Sequence, residues 1–414
     1  MGADKIPERP KAIKTYCSRG AVFNLSPSKK SSIIFDTISK AGFHKYCHPV
    51  LFFRQSRVLA VVDSGLSLSL MSPMRKIFIT GGAGFIGSAF VRLLLDEMPE
   101  CELTNFDALT YAGNLDNLEG VPNAHHHFLQ GDIADSGKVL AALPQDTDVL
   151  INFAAESHVD RSIASAKEFI RTNVLGTQVL LDCARKRCVR RFLQISTDEV
   201  MGSLPENSAA YFVEDSPFVP NSPYAASKAA AEHLVRAAHH TFGLDTVITR
   251  CGNNYGPRQF PEKFLPLALS NALDDEQIPV YGDGRNVRDW IYVDDHCRAI
   301  LLAMENGRSG ATYNIGARNE QQNIDVVHSL LDTLGKPRSL ISFVEDRPGH
   351  DRRYAIDPTL IETELSWRPR ETWDSGLQKT IQWYRDNGRW LERTRSGAYR
   401  DYYRQQYGTE VGAV

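Results

Sequence analysis

Short apolar stretches alternate with amphipathic stretches from Arg75 to about residue 250. "RKIFIT", "CELTNFD", "HHFLQGDI", "DVLINFA" and "RRFLQIS" have the length and composition of strands. "AFVRLLLDEM" and "FIRTNVLGTQVLLDCARK" place Leu and Val at the three- and four-residue spacing of a helix. Strands and helices that alternate in this way predict an α/β fold with a parallel, doubly wound sheet of the Rossmann type. Ligands of such a sheet bind beyond the carboxyl ends of the strands.

Beyond about residue 250 the alternation becomes irregular. "PEKFLPLALSNAL", "NIDVVHSLLDTLG" and "SGLQKTIQWYRDN" predict helices, and "IPVYGDG" predicts a strand and a turn. We therefore expect one domain over residues 74–250 and a smaller mixed α/β lobe over residues 251–414, including a polar C-terminal tail. The cleft between two such lobes is the usual place for a ligand.

Composition narrows the class of protein. The chain has 414 residues, a formal net charge of −3 and 42% hydrophobic residues, which suits a soluble globular protein. No apolar run reaches the roughly 18 residues of a membrane span, and so mild a charge gives no reason to expect nucleic acid or a membrane surface. The seven cysteines are scattered without zinc spacing, which favours reduced thiols and a cytoplasmic location. "HHH" at 125–127 is interpreted as a polar turn, so no metal is expected.

The first 73 residues differ from the remainder. They contain eleven Lys and Arg against four Asp and Glu, whereas residues 74–414 contain 36 against 46. They also show little periodicity, so we expect them to lie outside the folded unit. Three explanations stay open: a basic targeting segment, a disordered tail, or an upstream start assigned in error, because Met71 and Met74 directly precede the first good strand.

A glycine-rich turn follows that strand. Gly81, Gly84 and Gly87 stand at GxxGxxG spacing and open a helix. Glycine is needed where a tight turn brings the backbone close to a pyrophosphate, and the N–H groups at the helix start then bind the phosphates. The next strand ends at Asp107, twenty residues past Gly87. A carboxylate there accepts hydrogen bonds from an adenosine ribose and repels a 2′-phosphate, so the pattern predicts NAD in preference to NADP.

Candidate catalytic groups follow a later strand. Asp198 and Glu199 come directly after Thr197, at the end of "RRFLQIS", and we expect them to face the cofactor crevice. "NSPYAASKAAAEHLV" predicts a helix on which Tyr224 and Lys228 share one face. A nearby ammonium lowers the pKa of a tyrosine, and a lysine there can also hold the nicotinamide ribose. Tyr224 can then act as a base on a substrate hydroxyl while hydride leaves for NAD.

These stretches together resemble a known superfamily. "TGGAGFIGS", "AAESHVDRS", "STDEV", "YAASK", "NNYGP", "YGDG", "RDWIYVDDH", "YNIG" and "DRPGHDRRYAID" are similar to the extended short-chain dehydrogenases/reductases, and above all to the nucleotide-sugar 4,6-dehydratases. The resemblance covers residues 74–385 in the right order, and the Thr-Asp-Glu triplet separates these dehydratases from 4-epimerases of the same fold. Two positions depart from the family pattern: Met201 replaces a tyrosine and Gly252 replaces a serine.

The resemblance implies a lyase reaction on a nucleotide-diphosphate glucose, with a dTDP sugar favoured. Oxidation at C4 by NAD makes the C5 proton acidic. Tyr224 would take the C4 hydroxyl proton, Glu199 the C5 proton, and Asp198 would protonate the departing C6 hydroxyl, while Thr197 holds the C4 oxygen. Elimination needs an acid and a base near one C5–C6 bond, and their environments must separate their pKa values.

The resemblance also implies further binding residues and a homodimer. NAD would meet Phe85, Ile86, Thr110, Asp132, Ile133, Ala154, Ala155, Ser157, Thr172 and Asn254. The substrate would meet His158, Asn253, Glu262, Lys263, Tyr281, Arg288, Asn314, Asp346, Arg347 and His350. Helices over 165–187 and 224–241 resemble those that pair two subunits. Alternatives are UDP-glucose as substrate, a 4-epimerase, a UDP-glucuronate decarboxylase, or a non-catalytic NAD-binding sensor.

Overall fold

The computed structural model describes residues 50–54, 57–61, 75–122 and 124–395. The chain divides into two units, Met1–Pro73 and Met74–Val414. In the first unit, β1 (Val50–Arg54) and β2 (Arg57–Val61) pair as an antiparallel hairpin. The sequence pattern did not predict this hairpin, and our other expectations for residues 1–73 lie outside the described residues, as does the polar C-terminal tail.

The second unit is built on a seven-stranded sheet with the order β12-β8-β7-β6-β3-β4-β5, in which all neighbours are parallel. Its strands are β3 (Lys76–Thr80), β4 (Glu102–Asp107), β5 (His126–Gln130), β6 (Val149–Asn152), β7 (Arg191–Thr197), β8 (Asp245–Cys251) and β12 (Thr312–Ile315). The strand order reverses between β3 and β6, which creates a crevice at the carboxyl edge. The predicted doubly wound sheet is confirmed.

Helices cover both faces of this sheet. On one face, α1 (Phe85–Glu97) and α8 (Val293–Asn306) bury side chains such as Phe90 and Ile300 against it. The other face is covered by α2 (Ser136–Ala142), α5 (Thr177–Lys186) and α6 (Pro223–Phe242). Two separate apolar cores result, one on each side of the strands.

The segment before α5 departs from a regular helix. After α3 (Val159–Ala164), one turn of α-helix, α4 (Lys167–Phe169), runs into a π-helical stretch, Ile170–Gly176, which continues directly into α5. The sequence pattern predicted a helix here but not its π-helical part. Insertions of this kind are frequent at functional sites.

The remaining elements form a smaller lobe with its own core, which includes Tyr255, Trp290 and Tyr384. β9 (Asn253–Tyr255), β11 (Val287–Tyr292) and β13 (Glu320–Gln322) form one sheet, and β10 (Ile278–Tyr281) pairs in parallel with β14 (Ile341–Val344). The helices of this region are α7 (Phe264–Leu273), α9 (Asn323–Leu334), α11 (Trp373–Asp386) and α12 (Gly388–Thr394). A further helix, α10 (Thr359–Glu364), instead packs on β12 and buries Ile361 in the core of the large sheet. Because β12 and α8 return to the large sheet, the chain crosses between the two regions after residue 250. Among the described residues, no helix has the length and apolar character to cross a membrane.

Candidate active site

A cavity of about 450 Å³ opens at the carboxyl edge of the large sheet and extends to the smaller lobe. All the predicted site residues line it except Asn314 and Asp346. The strand ends of β3, β4, β6 and β7 supply one wall, and β9, β10 and β11 contribute to the other. Residues that are more than 250 positions apart in the chain therefore face the same cavity.

The glycine loop after β3 has no room for side chains. A Cβ atom on Gly87 would lie 2.2 Å from the Gly81 carbonyl oxygen, and one on Gly81, whose φ is +72°, would lie 2.5 Å from the Ala154 nitrogen. At Gly84 the nearest atom would be 3.3 Å away. Gly84 is also the N-cap of α1, which has no side-chain cap and no acidic residue in its first turn. The helix start therefore presents unblocked N–H groups to the cavity, as pyrophosphate binding requires.

Asp107 at the end of β4 is held by the backbone. Its Oδ2 accepts from the Ala83 N–H at 2.9 Å and its Oδ1 from the Leu109 N–H at 2.8 Å. Burial raises the pKa of Asp107, and these two hydrogen bonds oppose the rise. A carboxylate can accept about four hydrogen bonds, so acceptor sites remain for a ribose. The loop and this carboxylate together fit NAD.

Thr197, Asp198 and Glu199 occupy the transition from β7 to a turn of 3₁₀ helix, Asp198–Met201. The Thr197 hydroxyl accepts from the Glu199 N–H at 3.3 Å and donates to Asp198 Oδ1 at 3.2 Å. The strand end thus directs both acids toward the cavity, as the sequence predicted. The other carboxylate oxygen, Asp198 Oδ2, is buried and has no hydrogen-bond partner among the described residues.

The two acids have different surroundings. Burial raises the pKa of Asp198 well above its usual value, and the neighbouring charge of Glu199 raises it further. Burial also raises the pKa of Glu199, but the cations Arg347, Lys263 and Arg288 oppose that rise. Asp198 is therefore the group that keeps a proton, and Glu199 is the one whose carboxylate the surrounding cations stabilise.

Tyr224 and Lys228 begin α6, where the Ser222 hydroxyl caps the helix and Pro223 occupies its first turn. Burial raises the pKa of Tyr224 well above its usual value, the charge of Glu199 adds to the rise, and a hydrogen bond with Thr197 opposes it. Lys228 Nζ donates to the Ile195 carbonyl at 2.6 Å, and burial lowers the pKa of this ammonium to about 8. The expected lowering of the Tyr224 pKa by Lys228 is therefore wrong for this structure, because burial and Glu199 dominate.

Charged side chains line the opposite wall. Arg288 donates to the Asp351 carbonyl at 2.9 Å and lies 4.2 Å from the centre of the Tyr354 ring. Lys263 Nζ donates to the Ser157 carbonyl. Burial lowers the pKa of both cations. Such a wall of cations suits a diphosphate, for which the planar guanidinium is well shaped.

Asp160 joins the two lobes across the cavity. Its Oδ1 accepts from Arg347 Nη1 at 3.0 Å and its Oδ2 from the Tyr281 hydroxyl at 3.1 Å. Although burial opposes the change, Arg347 and His158 hold the pKa of Asp160 below its usual value. Asp160 lies in the motif "AAESHVDRS", but the sequence did not predict a role for it, because its partners Tyr281 and Arg347 lie 121 and 187 positions away.

Two predicted substrate residues do not line the cavity. Asn314 is buried in β12, where its side chain donates to the Phe212 carbonyl at 3.0 Å. Asp346 accepts from His350 Nδ1 at 2.6 Å. Asn314 thus supports the fold in this conformation, and Asp346 contacts two residues that line the cavity, His350 and, through a backbone N–H at 2.9 Å, Arg347. Direct substrate contacts by these two residues stay predictions.

The two departures from the family pattern also have structural explanations. Met201 is buried, and its sulfur lies 3.6 Å from Arg250 Nη1, beside the buried ion pair between Arg250 and Glu232. It does not line the cavity. At Gly252, between β8 and β9, an added Cβ would lie 2.6 Å from the Asp289 carbonyl oxygen, so a serine there would require this segment and β11 to move apart.

Comparison with known proteins agrees with this geometry. The family model described as GDP-mannose 4,6 dehydratase matches residues 78–380. The dTDP-glucose 4,6-dehydratase of Salmonella typhimurium is 46% identical over 357 residues, covering 80% of this chain and 99% of that protein. Its counterpart in Xanthomonas campestris is 49% identical over 347 residues, covering 79% and 98%.

Two solved structures allow this chain to be compared with a dehydratase and with an epimerase. DesIV, a dTDP-glucose 4,6-dehydratase from Streptomyces venezuelae solved with NAD and dTDP, is 49% identical with a TM-score of 0.74, covering 77% of this chain and 99% of its own. A UDP-glucose 4-epimerase from Thermotoga maritima is 28% identical with a TM-score of 0.69, covering 75% and 99%. The chain is thus more similar to this dehydratase than to this epimerase.

Proposed function

We propose that this chain, which belongs to the GDP-mannose 4,6-dehydratase family, is a hydro-lyase that converts dTDP-glucose to the 4-keto-6-deoxy sugar with NAD as cofactor. The observation that carries the proposal is the adjacent pair Asp198 and Glu199, which lines one cavity with Tyr224. A simple dehydrogenase has no need of two further acids beside its catalytic tyrosine, whereas elimination across C5–C6 needs both an acid and a base.

Oxidation must come first because a C5 carbanion of an ordinary hexose has nothing to stabilise it. Tyr224 accepts the proton of the C4 hydroxyl, and Thr197 holds the C4 oxygen. Because burial and Glu199 raise the pKa of Tyr224, its phenolate needs the hydrogen bond with Thr197 and the positive charges of Lys228 and of bound NAD. NAD, which Gly81, Gly84, Gly87 and Asp107 would hold, would supply a positively charged ring as the hydride acceptor for C4 and, once reduced, the hydride donor for C6.

Glu199 then removes the C5 proton, which the C4 ketone has made acidic, and Asp198 gives its proton to the departing C6 hydroxyl, which leaves as water. As the hydride reaches C6, Glu199 returns a proton to C5, which completes the 4-keto-6-deoxy sugar.

The electrostatics of the site support these separate roles. A general acid must hold its proton at neutral pH, and burial of Asp198 favours its protonated form. A general base must be available as the anion. Burial raises the pKa of Glu199, but three cations oppose that rise and so favour its anion. Two adjacent carboxyl groups with different neighbours can therefore act as acid and base in one elimination.

The remaining wall suits the nucleotide diphosphate. Arg288, Lys263 and Arg347 line the same part of the cavity as Tyr281 and His350, and they supply the positive charge that two phosphates require. The choice of dTDP over UDP rests on the relatives. A 4-epimerase or a decarboxylase is a weaker candidate because neither explains the acid pair, and a non-catalytic sensor would have no use for Tyr224 and Lys228.

We further propose that the protein is a cytoplasmic homodimer. Ile170 and Leu175 on the helical segment before α5, and Phe242 at the end of α6, are each at least half exposed, and a second copy packed on these helices would cover them. We assign residues 74–250 to NAD binding and residues 251–414 mainly to binding of the nucleotide sugar. We expect residues 1–73 to take no part in the reaction. Sedimentation of the purified protein tests the dimer, and a monomer mass would contradict it.

The experiment that tests the reaction follows hydrogen atoms. dTDP-glucose deuterated at C4 should give a 4-keto-6-deoxy product deuterated at C6, because the hydride that leaves C4 returns to C6. With unlabelled substrate in heavy water, C5 should gain deuterium and C6 none. An epimerase would keep the C6 hydroxyl, a decarboxylase acting on its own substrate would lose C6, and a sensor would make no product. Solvent deuterium at C6 would refute the single hydride cycle.

A parallel incubation with UDP-glucose tests the nucleotide. We expect a much lower kcat/KM than with dTDP-glucose. Equal values for the two sugars would leave the reaction intact but remove the proposed preference for dTDP.

A further inference from the structure

The last helix of the described residues, α12, is joined through Asn117 to the loop that carries the cofactor-binding glycines, although it lies beyond residue 380, where the family model ends. Trp390 Nε1 donates to Asn117 Oδ1 at 2.9 Å, and Asn117 Nδ2 donates to the Ala83 carbonyl at 2.9 Å. Both side chains are buried. Ala83 lies in the glycine loop, between Gly81 and Gly84.

The backbone of Ala83 is in turn hydrogen-bonded to Asp107. Its N–H donates to Asp107 Oδ2 at 2.9 Å, and its carbonyl also accepts from the Asn114 N–H at 3.0 Å. A continuous series of hydrogen bonds therefore runs from Trp390 through Asn117 and Ala83 to the carboxylate at the end of β4. Only the last of these, Asp107, lines the cavity.

The chemistry of this series allows only one orientation of the Asn117 amide. An indole N–H can only donate and a peptide carbonyl can only accept, so the amide must present its oxygen to Trp390 and its nitrogen to Ala83. Arg92 of α1 holds the backbone of the same residue, because its guanidinium donates to the Asn117 carbonyl at 2.8 Å. If the amide turned over, two oxygen atoms would face each other and the buried indole N–H would lose its acceptor, which is costly.

We propose that Trp390 and Asn117 are positioning residues for the cofactor. They hold the Ala83 peptide, and through it Asp107 and the glycine loop, in the geometry that binds the adenosine ribose and pyrophosphate of NAD. The inference rests on NAD as the cofactor of the proposed function. Neither residue contacts the reacting atoms, so loss of either should weaken NAD binding and leave the chemical steps unchanged.

The test compares the full-length protein with W390F, which removes the indole N–H and keeps an aromatic ring, and with N117D, which places a carboxylate against the Ala83 carbonyl. The matched control is W383F, because Trp383 packs on the Trp390 ring at a centroid distance of 5.0 Å outside this series of hydrogen bonds. NAD is measured in two ways, as the amount released from purified protein on denaturation and as the Kd from titration of protein stripped of NAD.

We expect the Kd for NAD to rise on the order of tenfold in W390F, the size of one buried hydrogen bond, and further in N117D. W383F should stay within about twofold of the wild type. At saturating NAD, kcat for dTDP-glucose should recover to within about threefold of the wild type in both variants. A purely structural defect would instead lower the fraction of folded protein, and the folded protein that remained would keep the wild-type Kd for NAD.

Two results would overturn the proposal. One is a folded W390F or N117D, shown by its near-ultraviolet circular dichroism, that binds NAD as tightly as W383F. The other is activity that stays low in both variants when NAD is saturating. If one of the two variants does not fold, the other carries the test. A wild-type protein that binds no NAD would instead contradict the proposed function itself.

Discussion

The two walls of the cavity are built in different ways. The cofactor wall uses backbone groups and the absence of side chains: Gly81 and Gly87 leave no room for a Cβ, and Asp107 is held by two backbone N–H groups. The substrate wall uses charged side chains brought together from distant parts of the chain, such as Asp160 and Arg347. The first wall is therefore sensitive to shape and the second to charge.

This difference predicts which kind of substitution should impair each wall. Backbone N–H groups and a helix start bind phosphates without a titratable partner, so the cofactor wall should tolerate changes of charge better than added volume. The substrate wall contains cations and carboxylates in mutual contact, and each sets the protonation and orientation of the others. Tyr224 lies at the junction and should affect chemistry without affecting either binding step.

The largest effect is expected at that junction. Tyr224→Phe should lower kcat for dTDP-glucose by about 10²–10⁴-fold, the range of a general base, while the amount of bound NAD stays at the wild-type level. The measurements are single-turnover reduction of NAD and cofactor content. Tyr211→Phe, an exposed position, is the control. Near wild-type turnover of Tyr224→Phe would remove this residue from the mechanism.

A change of shape on the cofactor wall comes next. In Gly87→Ala, the new Cβ would lie 2.2 Å from the Gly81 carbonyl oxygen, and the loop must move to admit it. We expect the Kd for NAD to rise by roughly 10- to 100-fold, as for an overpacked site. Gly388→Ala is the matched control, since a Cβ there meets nothing within 4 Å. A Kd for Gly87→Ala that equals that of the control would contradict the shape argument.

A change of charge on the substrate wall should be smaller and should act on a different ligand. Asp160→Asn keeps the volume but removes the charge that orients Arg347 and Tyr281. We expect the KM for dTDP-glucose and the Kd for dTDP to rise about tenfold, as for a hydrogen bond to a charged group, with kcat changed less than threefold and NAD binding unchanged.

Asp332→Asn provides the control for this experiment, because it neutralises an exposed partner of Arg338. If Asp160→Asn binds dTDP more tightly than the wild type does, Asp160 competes with the diphosphate for Arg347. In that case it does not position this arginine, and the comparison of the two walls must be revised.

The smallest effect concerns stability. A raised pKa of Asp198 means that the folded state binds a proton that the unfolded chain has released, so stability falls as pH rises from the unfolded pKa of about 3.9 toward the higher folded value. Asp198→Asn removes this cost. We expect it to raise the free energy of unfolding at pH 7.5 and to raise it much less at pH 4. Thermal melts of NAD-free protein at both pH values measure this, and an equal difference at the two values would contradict the raised pKa.

Much of the cofactor side could be predicted because its signals are local. A strand, three spaced glycines, a helix and a strand-end carboxylate all lie between Lys76 and Asp107, and each follows from backbone geometry. The acids after β7 and the pair on α6 were predicted in the same way, from their positions at a strand end and on one helix face. The π-helical stretch Ile170–Gly176 gave no such signal, because its residues fit an ordinary helix equally well.

The sequence by itself thus determined the parallel sheet, the glycine loop and the residues that we propose as proton carriers. Only the tertiary structure decided that Asp160 holds Arg347, that Asn117 joins Trp390 to the glycine loop, and that Asn314 is buried in the core. It also decided the direction of the Tyr224 pKa, which is raised although a lysine lies one turn away. The physical reason is the distance over which each effect acts. Helix and strand formation depend on neighbours a few residues apart in the sequence. Burial and electrostatic interactions depend on every group that is close in space, however distant it is along the chain.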